Sequence, residues 1–195
     1  MGGVAKREHH DPMTFSIVPI GTVASLVLAA IVLFLIVIGT VTIIVIRKLT
    51  EIPVPAAWFA LIVGGGLPFV LALGFGYFLF GGHLSNVTLA EGVLQVDVPI
   101  YGRSIPLDRV DFASPRVIDM TESREVRLTF RTNGLGVPGY LLGWFRVARD
   151  GRALVSLTDR STVVWVRLTD GTILLFSLRD PDAFLQALQA AGDKP

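Results

Sequence analysis

The chain has 195 residues, 17 of them Lys or Arg and 16 Asp or Glu, so it carries no strong field that would attract nucleic acid. It contains no cysteine, which excludes disulfides, Cys-ligated zinc and thiol nucleophiles. Apolar residues make up 52% and charged residues 17%, against about a quarter charged in ordinary domains, and the length allows one or two domains.

Residues 1–14 read as a polar N-terminal tail, with His9 and His10 as solvated side chains and no metal site. From Pro12 to Ile46 there is no Asp, Glu, Lys or Arg, and from Ile52 to Ala90 there is none again. These runs predict a two-helix transmembrane hairpin over residues 15–82, with helices at about 19–46 and 56–80. Each exceeds the roughly 20 apolar residues that a helix needs to cross a bilayer. The first run continues far beyond Ala29 and Ala30, past the roughly 7 to 15 residues of a signal-peptide core, so it is expected to be retained. Gly21, Ser25 and Ala29 recur every fourth residue, a stripe that would let another helix of this chain or of a homo-oligomer approach, unless it is ordinary membrane composition. Gly64, Gly65, Gly66 and Pro68 predict a kink in the second helix. Trp58 and Tyr77 suit the interfacial aromatic belt. Neither helix carries an ionisable group, which argues against transport by this chain alone.

Beyond Gly81 and Gly82 the apolar period changes to two. Leu94, Val96, Val98 and Ile100 alternate with polar or small partners, as do Val126, Leu128 and Phe130 with Arg127, Thr129 and Arg131. Glu91-Gly92, Asn133-Gly134, Asp150-Gly151 and Asp170-Gly171 are turn signals. The last two predict tight type I′ hairpins. Asp180 as N-cap and Pro181 at the first helical position open a C-terminal helix with Phe184, Leu185, Leu188 and Ala191 on one face. The expectation is a membrane-anchored α+β chain, in which a domain over residues 84–192 has about seven antiparallel strands covered by one C-terminal helix.

Gly134-x-Gly136-x-x-Gly139 imitates a dinucleotide fingerprint, but no helix follows it and Pro138 lies within it. It is expected to be a glycine-rich loop between strands, with no cofactor. The segments "GVLQVDVPIYGRSIPLDRV", "NGLGVPGYLLGWF" and "LRDPDAF" resemble the bacterial pleckstrin-homology-like domains, in particular the subgroup carried on a short membrane anchor. The resemblance covers about Leu84 to Ala191. It implies a fold of two antiparallel sheets capped by the C-terminal helix, and a cytoplasmic domain. The lipid-binding turn of eukaryotic relatives has no counterpart here, since "LAEGVL" lacks Lys and Arg.

No catalytic constellation is visible. The three histidines lie outside the strand-rich part, and Asp108, Asp111 and Asp119 lack the glycine-centred loop and terminal Glu of a calcium site. Chain flanks offer Lys6 and Arg7 against Arg47 and Lys48, so charge does not decide topology. The resemblance places the domain on the cytoplasmic side of the bacterial inner membrane, with two passes. Arginine is the suggestive residue. Arg124, Arg127, Arg131, Arg146, Arg149 and Arg152 sit on two segments that would pair, and could share a face suited to carboxylate or phosphate, or be a solvated face. The expected function is a non-enzymatic, membrane-anchored interaction module that binds a protein or peptide. The alternative is a sensor of anionic lipid head groups.

Overall fold

Strands lie on both sides of the apolar helices, because the chain enters its sheet before it enters them. A computed structural model of the protein describes residues 12–48, 54–121, 126–148 and 151–193. Strand β1 (Met13–Ser16) precedes helix α1 (Thr22–Lys48). Helix α2 (Val54–Ala60) continues through a π-helical turn, Leu61–Gly66, into α3 (Leu67–Leu84). Strands β2 (Asn86–Ala90), β3 (Val93–Asp97) and β4 (Arg103–Pro106) follow. Then come β5 (Arg116–Ile118), β6 (Leu128–Val137), β7 (Tyr140–Val147), β8 (Gly151–Leu157), β9 (Val163–Arg167), β10 (Ile173–Phe176) and helix α4 (Pro181–Gly192).

Two 27-residue helices, Thr22–Lys48 and Trp58–Leu84, are long and apolar enough to cross a membrane by length and composition. At 1.5 Å per residue each would reach about 40 Å, more than the roughly 30 Å of a hydrocarbon core. The expected break in the second helix takes the form of the π turn. Its glycines are close-approach points: a Cβ on Gly64 would lie 2.8 Å from Thr42, and one on Gly65 would lie 2.8 Å from Ile43. The expected Gly21–Ser25–Ala29 stripe meets α3 only at Ser25, whose Oγ lies 3.4 Å from His83 Nε2. Gly21 has open space around it and Ala29 is exposed, whereas Ala24, Leu28 and Gly39 are buried. The first turns of α1 are rotated by their docking onto the domain, where Ala24 and Leu28 join the core that contains Tyr140 and Ile20.

Residues Met13 and Thr14, expected in the tail, are therefore part of a sheet. Strand β1 pairs antiparallel with β2, from Met13 opposite Leu89 to Ser16 opposite Asn86, and β3 and β4 complete a four-stranded sheet. The second sheet has six strands in the order β5-β9-β10-β8-β7-β6. Among the described residues there are ten strands, β1 and nine within residues 84–192 where about seven are expected, and one pair, β8 with β10, is parallel. The parallel pair arises because the chain leaving β8 passes the site of β10 and forms β9 on its far side. Ser177 ties this crossover: its hydroxyl receives the backbone N–H groups of Thr158 and Asp159 and donates to the Asp159 carbonyl. The Ser177 carbonyl accepts from Val18 N–H, and Thr158 Oγ1 donates to the Val18 carbonyl, which joins the crossover to the approach of α1.

The turns are redistributed relative to the sequence reading. The type I′ geometry is at Glu91-Gly92, both at positive φ (47° and 78°) between paired Ala90 and Val93. At Asp170-Gly171 only the glycine is left-handed (φ 81°), and Leu168 N–H bonds Thr172 O, so the hairpin has a three-residue loop with a glycine bulge. Gly151 is likewise left-handed (φ 94°) and pairs with Val147, while Arg149 and Asp150 lie outside the described residues. Asn133-Gly134 is no turn and no loop. It lies inside β6, and the reversal is at Pro138-Gly139, with Gly139 at φ 79°. The fingerprint glycines serve strand contact instead. Gly134 and Gly143 are direct partners, and a Cβ on Gly143 would lie 2.6 Å from Gly134 Cα and 3.1 Å from the Tyr101 ring.

Helix α4 begins as its sequence predicts, with Ala183 N–H donating to Asp180 Oδ1 at 3.0 Å. It buries Phe184 and Leu188, the former edge-on to Phe15 of β1 at 5.3 Å. The core between the two sheets combines Val87, Leu94, Leu142, Trp144, Leu174 and Phe176 with these helix residues.

Gly143→Val should lower stability by more than about 2 kcal/mol, because a branched side chain meets backbone at a φ of 114°. An unchanged melting temperature would contradict the close approach. Deleting residues 1–16 should expose the β2 edge, remove Phe15 from α4 and lower the melting temperature by several degrees, measured on detergent-purified full chain against the truncation.

Candidate functional site

Strands β8, β9 and β10 are buried on both faces, which their nearly continuous apolar sequences require. One face belongs to the core between the sheets. The other carries Phe145, Val155, Trp165, Ile173 and Leu175, against which Ile118, Met120, Val126 and Leu128 pack. The reason is topological. Strands β5 and β6 are the opposite edges of the six-stranded sheet, so the connection between them must cross its outer face. Residues 122–125 of that connection, including Arg124, lie outside the described residues.

Beside this crossing lies a cavity of about 760 Å³, lined by Met120, Leu141, Phe145, Arg160 and the consecutive residues Val126 to Arg131. Among the described residues its lining holds three guanidinium groups, from Arg127, Arg131 and Arg160, and no carboxylate. Phe130 stands in it with 64% of its surface exposed. Two bulges in the β6–β7 pairing shape this wall, between Leu128 and Phe130 and between Arg131 and Asn133. The bulged residues are threonines, and each repairs the ladder with its hydroxyl: Thr129 Oγ1 donates to the Arg146 carbonyl at 3.1 Å and Thr132 Oγ1 to the Trp144 carbonyl at 3.0 Å. An edge broken twice in ten residues is a poor template for strand addition, so recognition here falls to side chains.

The arginines that could share one face, or be a solvated one, fall on two sides. Arg127 and Arg131 line the outer cavity. Arg146 and Arg152 are cross-strand partners on β7 and β8, and the Arg152 guanidinium lies 3.8 Å from the ring centroid of Trp144, a residue of the core between the sheets. Arg103 of β4 lies 4.8 Å from the same ring. The alternation of a strand separates the two groups, since Phe145 and Trp144 point to opposite faces. Arg149, like Arg124, is outside the described residues. Arg160 was not singled out from sequence. It follows the crossover after β8, and only the connection from β5 brings it to the cavity, with Met120 N–H bonded to its carbonyl at 2.8 Å.

Four of the described aspartates, Asp111, Asp119, Asp159 and Asp170, are committed to turns. Asp159 Oδ1 accepts from the N–H and hydroxyl of Ser161, and these bonds hold its carboxyl below the usual range. Asp170 is lowered first by the N–H and hydroxyl of Thr172 and then by the fields of Arg109 and Arg103. Asp111 and Asp119 accept from Ala113 N–H and Thr121 N–H in the same way. Burial alone pushes the Tyr140 phenol upward. Because the folded pKa values of Asp159 and Asp170 are depressed, the stability they add is complete above the unfolded carboxylate range, about pH 4, and is lost as pH falls through the folded values. The double variant Asp159→Asn, Asp170→Asn should therefore lose less melting temperature than wild type between about pH 5 and about pH 2. Parallel acid titration curves would contradict this.

The family described as Bacterial PH domain matches residues 85–191, more than half of the chain. No curated protein and no solved structure matches it. The matched span begins at the end of α3, so β1 and the apolar helices lie outside it. A match of that extent, carried by strands closed with a C-terminal helix, establishes that the chain belongs to the bacterial PH domain family.

Proposed function

We propose that this chain is a two-pass, membrane-anchored PH module of the bacterial inner membrane whose cytoplasmic domain binds an acidic peptide segment of a partner protein. The observation that carries the reading is the outer cavity, where Arg127, Arg131 and Arg160 surround the exposed ring of Phe130. Guanidinium groups match carboxylates in geometry, and an exposed aromatic supplies the apolar anchor that dominates small interfaces. A binding role rather than catalysis fits a cavity whose ionisable lining, among the described residues, is arginine. The cavity lies along the side wall, from Arg160 near the approach of α1 to Arg127 near the far end of β7. A partner standing beside the domain reaches all of it, whereas a flat bilayer beneath the domain does not, and this favours peptide over lipid head groups.

The full chain in neutral-lipid nanodiscs should enrich acidic peptides with an apolar residue from a random peptide library. Arg131→Glu should weaken the selected peptide by at least about tenfold, and Phe130→Ser by a similar factor. Enrichment that ignores charge, or binding that appears only with anionic lipid, would reject the peptide reading. Protease treatment of spheroplasts tests the side: digestion of the domain while an internal marker survives would place it outside.

A further inference from the structure

Among the described residues from Ser85 onward, three large apolar side chains are exposed: Phe130 in the outer cavity, Val117 at 38%, and Ile100 at 66%. Ile100 is also the one β-branched residue in the left-handed region, at φ 64°. Its neighbours close a γ-turn around it, with Tyr101 N–H donating to the Pro99 carbonyl at 2.7 Å, and a γ-turn of positive φ is the strained form. The strain is imposed from both sides. The Pro99 ring packs on Gly81 in the last turn of α3, leaving no room there for a Cβ. Tyr101 is held by a hydrogen bond from its hydroxyl to Asn133 Oδ1 at 3.0 Å and by contact of its ring with Gly143. Both flanks are pinned and the isoleucine between them points away from protein.

The contact with Gly81 sets the height of this turn. Gly81 lies three residues before the end of α3, about 4.5 Å along the helix axis, where Phe80 and Leu84 are also exposed. Glycine at position 100 would adopt the same backbone without strain, and a polar residue would suit water better. An apolar phase that receives the isoleucine would remove the cost of keeping its side chain in water. We infer that the turn Val98–Tyr101 is a second membrane contact, in which Ile100 enters the interfacial layer of the bilayer beside the last turn of α3. This rests on the reading that α1 and α3 cross a bilayer, and it extends that reading from an anchor to a fixed seating of the domain on the membrane surface.

The absence of cysteine makes single-site spin labelling direct. Three variants of the full chain, Ile100→Cys, Leu33→Cys in α1 and Asp108→Cys at the end of the domain far from the helices, are labelled with a nitroxide in phosphatidylcholine–phosphatidylglycerol vesicles. Accessibility to oxygen is then compared with accessibility to a water-soluble nickel chelate. The expected result is a lipid-like ratio at 33, a water-like ratio at 108 and an intermediate, oxygen-favoured ratio at 100. A lipid-like 33 with a 100 indistinguishable from 108 would overturn the seating while leaving the anchor. A water-like 33 would overturn the anchor reading and the seating with it. A label at 100 closed to both reagents would show protein covering the turn, and would also overturn the inference.

Discussion

The structure depends on one constraint: the chain must return to the sheet it has already begun. Strand β1 is laid down before the apolar helices and β2 after them, and their antiparallel pairing forces both ends of the helix pair that meet the domain to one side. The return is made tight by small residues. Gly81 and Gly82 at the end of α3 receive Pro99 and Ile20, and Gly139 at the tip of the β6–β7 hairpin comes within reach of Ala24. Side chains at Gly81 and Gly82 would hold the helices off the domain. With glycine there, the helix pair and the domain share a core, and the domain is seated rather than tethered.

The same economy explains the second sheet. Six strands with apolar residues on both faces need two covers. The four-stranded sheet and α4 supply one, with Phe184 and Leu188 filling the space beside β1. The other is supplied by the connection from β5 to β6, because those strands are at opposite edges. The cavity that Arg127, Arg131, Arg160 and Phe130 line lies beside the described ends of that connection. Strand order brings its walls together.

Arginine plays two parts that sequence spacing does not separate. On the outer face it is presented to solvent next to an exposed aromatic. Elsewhere the exposed Arg103 and Arg152 lie over Trp144, where their planar groups extend the apolar cover of the ring. Which part an arginine plays depends on the parity of its position in β7 or β8 and, in β6, on two bulges that shift the parity midway.

Local signals were enough for the two apolar helices, the α+β class, the Asp180 cap of α4 and the hairpins at Gly151 and Gly171. Each rests on hydrogen bonding or hydrophobic periodicity within some twenty residues, which the amino-acid order states directly. The partnership of β1 with β2 was not legible, because 69 residues separate Ser16 from Asn86 and four residues before a long apolar run carry little pattern. Nor was the parallel pairing of β8 with β10, since an Asp-Gly turn announces a hairpin but not which strand flanks it. The glycines of "NGLGVPGYLLGWF" were read as a loop because Asn-Gly is a turn signal in isolation. Only the opposing Gly143, which needs Gly134 to let two backbones approach, shows why the glycine sits inside a strand. Sequence by itself determined the α+β class, the two apolar helices and the C-terminal helix, because those follow from burial and backbone geometry along the chain. Tertiary structure decided strand order, the face each arginine takes and the position of Arg160, because these depend on contacts between residues that the chain keeps far apart.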